Sequence, residues 1–177
     1  MSSEKYFQEN FHVGRSLRGL PQSLNVRIFM LVLVLLLGAL PAAAVERPFG
    51  LKGNGTVTFL TDGAGNVTGG TLTSSGTANH LGHWTSVGVL GFTPDPVHPN
   101  LILATGTETF TAANGDTLNV VVADAVLNTT TGIATGVFRF VGGTGRFAGA
   151  SGCAGFVVLQ DLATGAFKVK AIGIIDF

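Results

Sequence analysis

"GTETFTAANGDTLNVVVADA", residues 106–125, reads as two alternating runs joined by a tight turn. Before the turn, Ile102, Ala104, Gly106, Glu108 and Phe110 share one side of the chain. Side chains at i and i+2 lie on the same face of a strand, so this run predicts a strand over 101–112. Asn114-Gly115 follows, and both residues tolerate positive φ, the requirement of a two-residue hairpin turn. Beyond it, Leu118, Val120, Val122, Asp124 and Val126 share a face in a strand over 117–127. Asn119, Val121, Ala123 and Ala125 occupy the other face, which is also largely apolar, so the inward side of this strand is not fixed by pattern alone.

Working outward, the chain from residue 45 onward shows no amphipathic helical period. Runs of Thr, Val, Phe and Ile are punctuated by Gly, Asn and Asp, a composition that suits pleated surfaces and turns. Eight strands are predicted, at 51–60, 67–77, 80–92, 101–112, 117–127, 132–141, 147–160 and 166–176. The links are brief, as in Asp62-Gly63-Ala64-Gly65-Asn66 and Ala163-Thr164-Gly165. Brief links make successive strands antiparallel neighbours, because a parallel return needs a dozen or more residues. The stiffer link "TPDPVHPN", 93–100, holds three prolines that cannot continue a ladder. Closing such a meander removes both sheet edges, and the expected fold is all-β: an eight-stranded antiparallel up-and-down β-barrel. A barrel of about eight strands is filled by side chains or holds one small ligand.

The first 44 residues read differently. Lys5, Arg15, Arg18 and Arg27 precede the apolar run "IFMLVLVLLLGAL", 28–40, and Pro41-Ala42-Ala43-Ala44 follows. A basic start, a short apolar core and small residues before the cut define a secretory signal. Residues 1–44 are therefore expected to be a cleaved signal peptide and 45–177 a single barrel domain, secreted or periplasmic, with the membrane involved only in export. The remaining chain carries six basic and eight acidic residues, without the clustered basic face that nucleic acid requires. Cys153 is the sole cysteine. It excludes an internal disulfide and reads as a small buried filler.

Chemistry-bearing residues are few. Gly142-Gly143-Thr144-Gly145-Arg146 lacks both the phosphate-loop and the dinucleotide-loop pattern and leads into a strand rather than a helix. It is read as a turn or bulge, with Phe147 returning to the core and Arg146 either pointing to water or capping the barrel end. His80 and His83 are three apart, on opposite faces of any continuous strand, so no metal site and no cofactor are expected. Ser74, Ser75 and Ser151 lack a nucleophile-elbow context. If the apolar faces point inward, Glu108 and Asp124 do too, and Arg139, on the Val137/Val141 face, is the expected partner. An unpaired buried carboxylate is costly, so these three are the candidate catalytic residues. His80, Trp84, Phe110 and Phe138 are the candidate ligand-binding residues.

The corner "GGTGRFAGASG", 142–152, resembles the matching corner of the dirigent and allene-oxide-cyclase barrel families. "SGTANHLGHWTSVG", 75–88, and "TAANGDTL", 111–118, look like segments of a broad group of exported bacterial proteins sharing that barrel. The resemblance implies a self-associating eight-stranded barrel with an apolar central cavity. The plant members guide cyclisation or coupling of apolar molecules with cavity carboxylates, arginines or bound water, but their functional residues do not match this chain one by one. Three functions stay open, in this order: a barrel binding a small apolar molecule, a cyclase- or dirigent-like protein using the cavity carboxylates, and a small outer-membrane barrel. Against the last, the chain after residue 44 has one Trp and no Tyr, too few for aromatic girdles. Phe59, Phe92, Phe110, Phe138 and Phe140 decide between a filled interior and a roomy one.

Overall fold

The computed structural model describes residues 46–177; the predicted signal segment and its cleavage point lie outside them. The eight strands are β1 (Arg47–Thr61), β2 (Val67–Ala78), β3 (Gly82–Pro94), β4 (Leu101–Ala112), β5 (Thr117–Asn128), β6 (Ile133–Gly143), β7 (Ser151–Gln160) and β8 (Ala166–Asp176). Each pairs antiparallel with its sequence neighbours, and β1 pairs β8, which closes the barrel. The expected up-and-down barrel is therefore the observed one. Two boundaries differ in an instructive way. β3 starts at Gly82 because His80 turns the chain with φ 66°. β7 starts at Ser151 because the glycine corner carries a short 3₁₀ turn, Gly145–Phe147, before the strand resumes.

Alternation decides what fills the interior. Phe49, Leu51 and Val57 point inward from β1, Leu72 and Ser74 from β2, Trp84 and Ser86 from β3. Phe110 comes from β4, Phe138 and Phe140 from β6, Phe156 from β7, Val169 and Ala171 from β8. Large rings need gaps to enter. A Cβ at Gly53 would lie 2.6 Å from the Trp84 ring, so glycine at that inward site admits the indole.

The two ends are unlike. At the end formed by the start of β1, the end of β8 and the β2–β3, β4–β5 and β6–β7 links, Leu81, Phe147, Ile175 and Phe49 are almost wholly buried. Phe177 stacks 5.1 Å from Phe147 and Phe49 4.8 Å from Phe140, so this end is plugged. At the other end Phe59, Phe92, Ala134, Val158, Gln160 and Phe167 are only half-buried and ring a mouth.

The glycine corner belongs to the plug. Gly145 has φ 56°, and a Cβ there would collide with the Asp116 carboxylate, so glycine answers both the left-handed backbone and the close approach. Asp116 accepts from the Arg146 backbone N–H at 3.4 Å and lies 3.7 Å from its Nε. The Arg146 guanidinium sits 5.0 Å from the centre of the Phe147 ring. Arg146 thus caps the barrel end, one of its two expected placements, while Phe147 enters the core as the sequence predicts. Cys153, expected to be buried, is instead exposed on the outer face of β7.

Candidate functional site

Between the plug and the mouth lies a cavity of about 80 Å³. Its walls include Leu72, Leu90, Ala104, Phe110, Val122, Phe138, Phe156 and Val169, and its polar lining residues are Ser74, Glu108 and Gln160. The barrel is therefore a cup: apolar walls, a sealed base and one carboxyl inside.

Glu108 points inward because β4 keeps its even-numbered positions on the barrel interior, between Gly106 and Phe110. It is 6% exposed. Gly88 on β3 and Val120 on β5 are its cross-strand neighbours. The Ser86 hydroxyl donates to Oε1 at 2.5 Å, and Ser74 Oγ lies 2.6 Å from Ser86 Oγ and 3.5 Å from Oε1. A hydroxyl has one hydrogen, so Ser86 spends its own on Oε1 and Ser74 donates to Ser86. Among the described residues no hydrogen bond reaches Oε2. Burial destabilises the charged form and outweighs the nearby serine hydroxyls, which favour it, so the carboxyl is pushed up to about 7. In this cup Glu108 changes charge near neutrality.

The other two members of the expected polar patch are on the outside. Asp124 and Arg139 pair with each other at 3.0 Å on the outer surface, their side chains 73% and 60% exposed. The cause is a β-bulge. On β5, Ala125 pairs Ala104 while Val122 pairs Gly106, so three steps on β5 face two on β4. The same slip recurs against β6, where Ala123 and Val126 pair Val137 and Thr135. One extra residue shifts the phase, so Leu118, Val120 and Val122 face inward before the bulge and Ala125 and Leu127 after it. Asp124 is the slipped residue, with φ 50°. Arg139 fails for a simpler reason. Phe138 and Phe140 take the inward positions of β6, and adjacent strand residues cannot share a face.

The candidate ligand-binding residues also separate. Phe110 and Phe138 line the cavity and stack edge-on at 5.8 Å. Trp84 lies beneath, 5.1 Å from Phe110, as part of the packed base. His80 is at the plugged end, where its Nε2 lies 3.0 Å from the Pro48 carbonyl and its ring 5.4 Å from Phe177. It is not a cavity residue. Among the described residues no group of three or more His, Cys, Asp or Glu is placed to hold a metal. Sequence reasoning missed Ser74, Ser86 and Gln160. The first two share the inward phase with Leu72 and Trp84, which is the pattern that marks them.

The chain matches no protein-family model and no curated protein. Among solved structures it is similar to the pterocarpan synthase dirigent protein GePTS1, with a TM-score of 0.48 and 15% identity over 77% of this chain and 94% of that one. It is also similar to the pterocarpan synthase dirigent protein PsPTS1, with a TM-score of 0.43 and 16% identity over 77% and 96% of the two chains. The likeness is one of chain path, and the site described above rests on this chain's own residues.

Proposed function

We propose that this protein is an exported barrel that binds a small, largely apolar molecule in its cup. The observation that carries this reading is the cavity itself: a hollow of about 80 Å³ among Leu, Val and Phe side chains, sealed at one end and ringed by half-buried side chains at the other. Protein cores leave few voids larger than a water molecule. Small-molecule sites are concave and mostly apolar, with few polar groups, and Glu108 is such a group here.

The pattern of the two faces also supports an aqueous setting. Transmembrane barrels face lipid with an apolar band and keep a polar interior. Here the interior is Phe, Leu and Val, while the outer face carries Lys52, Lys168, Lys170, Asp124 and Arg139 beside rows of threonine. Export to a secreted or periplasmic location is part of the proposal, resting on the basic, apolar and small-residue order of residues 1–44. Self-association is also part of it. Outward apolar residues of β6 to β8, Val141, Val157, Leu159, Ile172 and Ile174, are available to it, with Lys170 and Lys168 beside Val157 and Leu159.

Dry apolar cavities take up xenon, and xenon tests the cup without assuming a ligand. Xenon titration followed by NMR is expected to give saturable binding to the parent barrel. Ala104→Leu, which puts a larger side chain into the cavity wall, should weaken it at least about tenfold. Parent and variant responding alike, or neither saturating, would contradict the reading.

A further inference from the structure

The cup's polar groups are unevenly spent. Ser86 donates to Glu108 Oε1 and Ser74 donates to Ser86, so Oε2 of this cavity-lining carboxyl has no partner among the described residues. A neutral carboxyl with Oε1 engaged as an acceptor carries its hydrogen on Oε2. Gln160, at the mouth, also lines the cavity, but its Nε2 is turned into the wall, buried and without a hydrogen-bond partner. A buried donor left unpaired costs about 1–3 kcal/mol. Glu108 Oε2 is the donor available in this apolar hollow, and it calls for an acceptor. Resting on the cup as the binding site, we propose that its ligand is a neutral molecule bearing a hydrogen-bond-accepting oxygen on a small apolar frame, such as a ketone, ether or ester, seated with that oxygen toward Glu108.

The surroundings exclude the alternatives. Toward Glu108 stand Ser74 from β2, Ser86 and Gly88 from β3, and Val120 and Val122 from β5. The far wall offers Phe138 from β6, Phe156 from β7, Leu51 from β1 and Val169 from β8. Glu108 is the one ionisable residue in the lining, with no cation beside it. An anionic ligand such as a fatty acid would bring a second carboxylate to Glu108 with no positive partner for either. Size narrows the frame too: the cavity is about half of a 150 Å³ cavity that accepts benzene. A five-membered cyclic ketone has as many heavy atoms as benzene, so it fills this space and extends into the open mouth.

Cyclopentanone, cyclopentanol and cyclopentane share one frame and differ only in the polar group. Their affinities can be read by NMR titration at pH 5.5 and 8.5. Cyclopentanone should bind about tenfold tighter than cyclopentane at pH 5.5 and lose that advantage at pH 8.5, where Oε2 becomes an acceptor and cyclopentanol gains. Glu108→Leu should bind all three nearly alike, and Glu108→Gln, which keeps a donor, should hold the ketone without pH dependence. Cyclopentanone no tighter than cyclopentane at pH 5.5, or the same ranking at both pH values, overturns the assignment while leaving the cup as a binding site. If none of the three binds, the cup reading fails and this one with it.

Discussion

Phe147→Ala is expected to cost the barrel about 4 kcal/mol, since removing a fully buried Phe typically costs 3–5 kcal/mol. Phe147 is fully buried, stacks on Phe177 and lies under the Arg146 guanidinium. It comes from the β6–β7 link rather than from a strand, so its loss removes the plug without breaking a ladder. Against a total stability of about 5–15 kcal/mol, the effect is large enough to read directly from urea unfolding. Val97→Ala is the control: Val97 is 74% exposed in the β3–β4 link, and its loss should stay within about 0.5 kcal/mol. A loss below about 1 kcal/mol for Phe147→Ala would mean that this end of the barrel is not sealed by it.

The second large effect is on pH dependence. Glu108 holds its proton up to about pH 7 in the folded barrel, against an ordinary value of 4.5. Between those values the folded chain binds a proton that the unfolded chain has released. Stability from this group is therefore complete below about pH 4.5 and declines as pH rises through 7, levelling off above. At about 1.4 kcal/mol per pH unit, the decline is about 3 kcal/mol. Asp62, Asp95 and Asp161 act in the opposite sense. Side-chain and backbone hydrogen bonds hold their carboxyls below the ordinary value, so their contribution is lost as pH falls into the acid range. Subtracting the profile of Glu108→Gln, which keeps those three, isolates the Glu108 limb. A difference profile flat between pH 5 and 8 would show that the carboxyl is not held in a dry interior.

The fold was legible because it depends on period two and on short turns, both local. Asn114-Gly115, the proline link and the runs of alternating Thr and Val place all eight strands, and closure follows from the sheet's need to hide its edges. The polar interior was less legible, for reasons the residues make plain. In "VVVADAVL", 120–127, both faces are apolar, so a one-residue slip leaves no trace in hydropathy. Its marker was Asp124 itself, one of the few residue types that accept φ near 50°. On β6 the bulk of Phe138 and Phe140 was the better guide to the inward face than Val137 and Val141. Glu108 was found because β4 is regular through its position. Ser74 and Ser86 were passed over because serine on a strand carries no motif, and what recruits them is a neighbour 22 or 34 residues away in sequence.

The most direct test follows the methyl groups of the barrel by NMR as cyclopentanone is added. Val57, Leu72, Val122 and Val169 line the cup and are nearly buried, whereas Val87, Val89 and Ile172 lie on the outer face, 54–79% exposed. A ligand in the cup shifts the first set in a saturable way and leaves the second unmoved. Saturable shifts at Val87, Val89 or Ile172, with the inner methyls silent, would place binding on the outer wall and contradict the account.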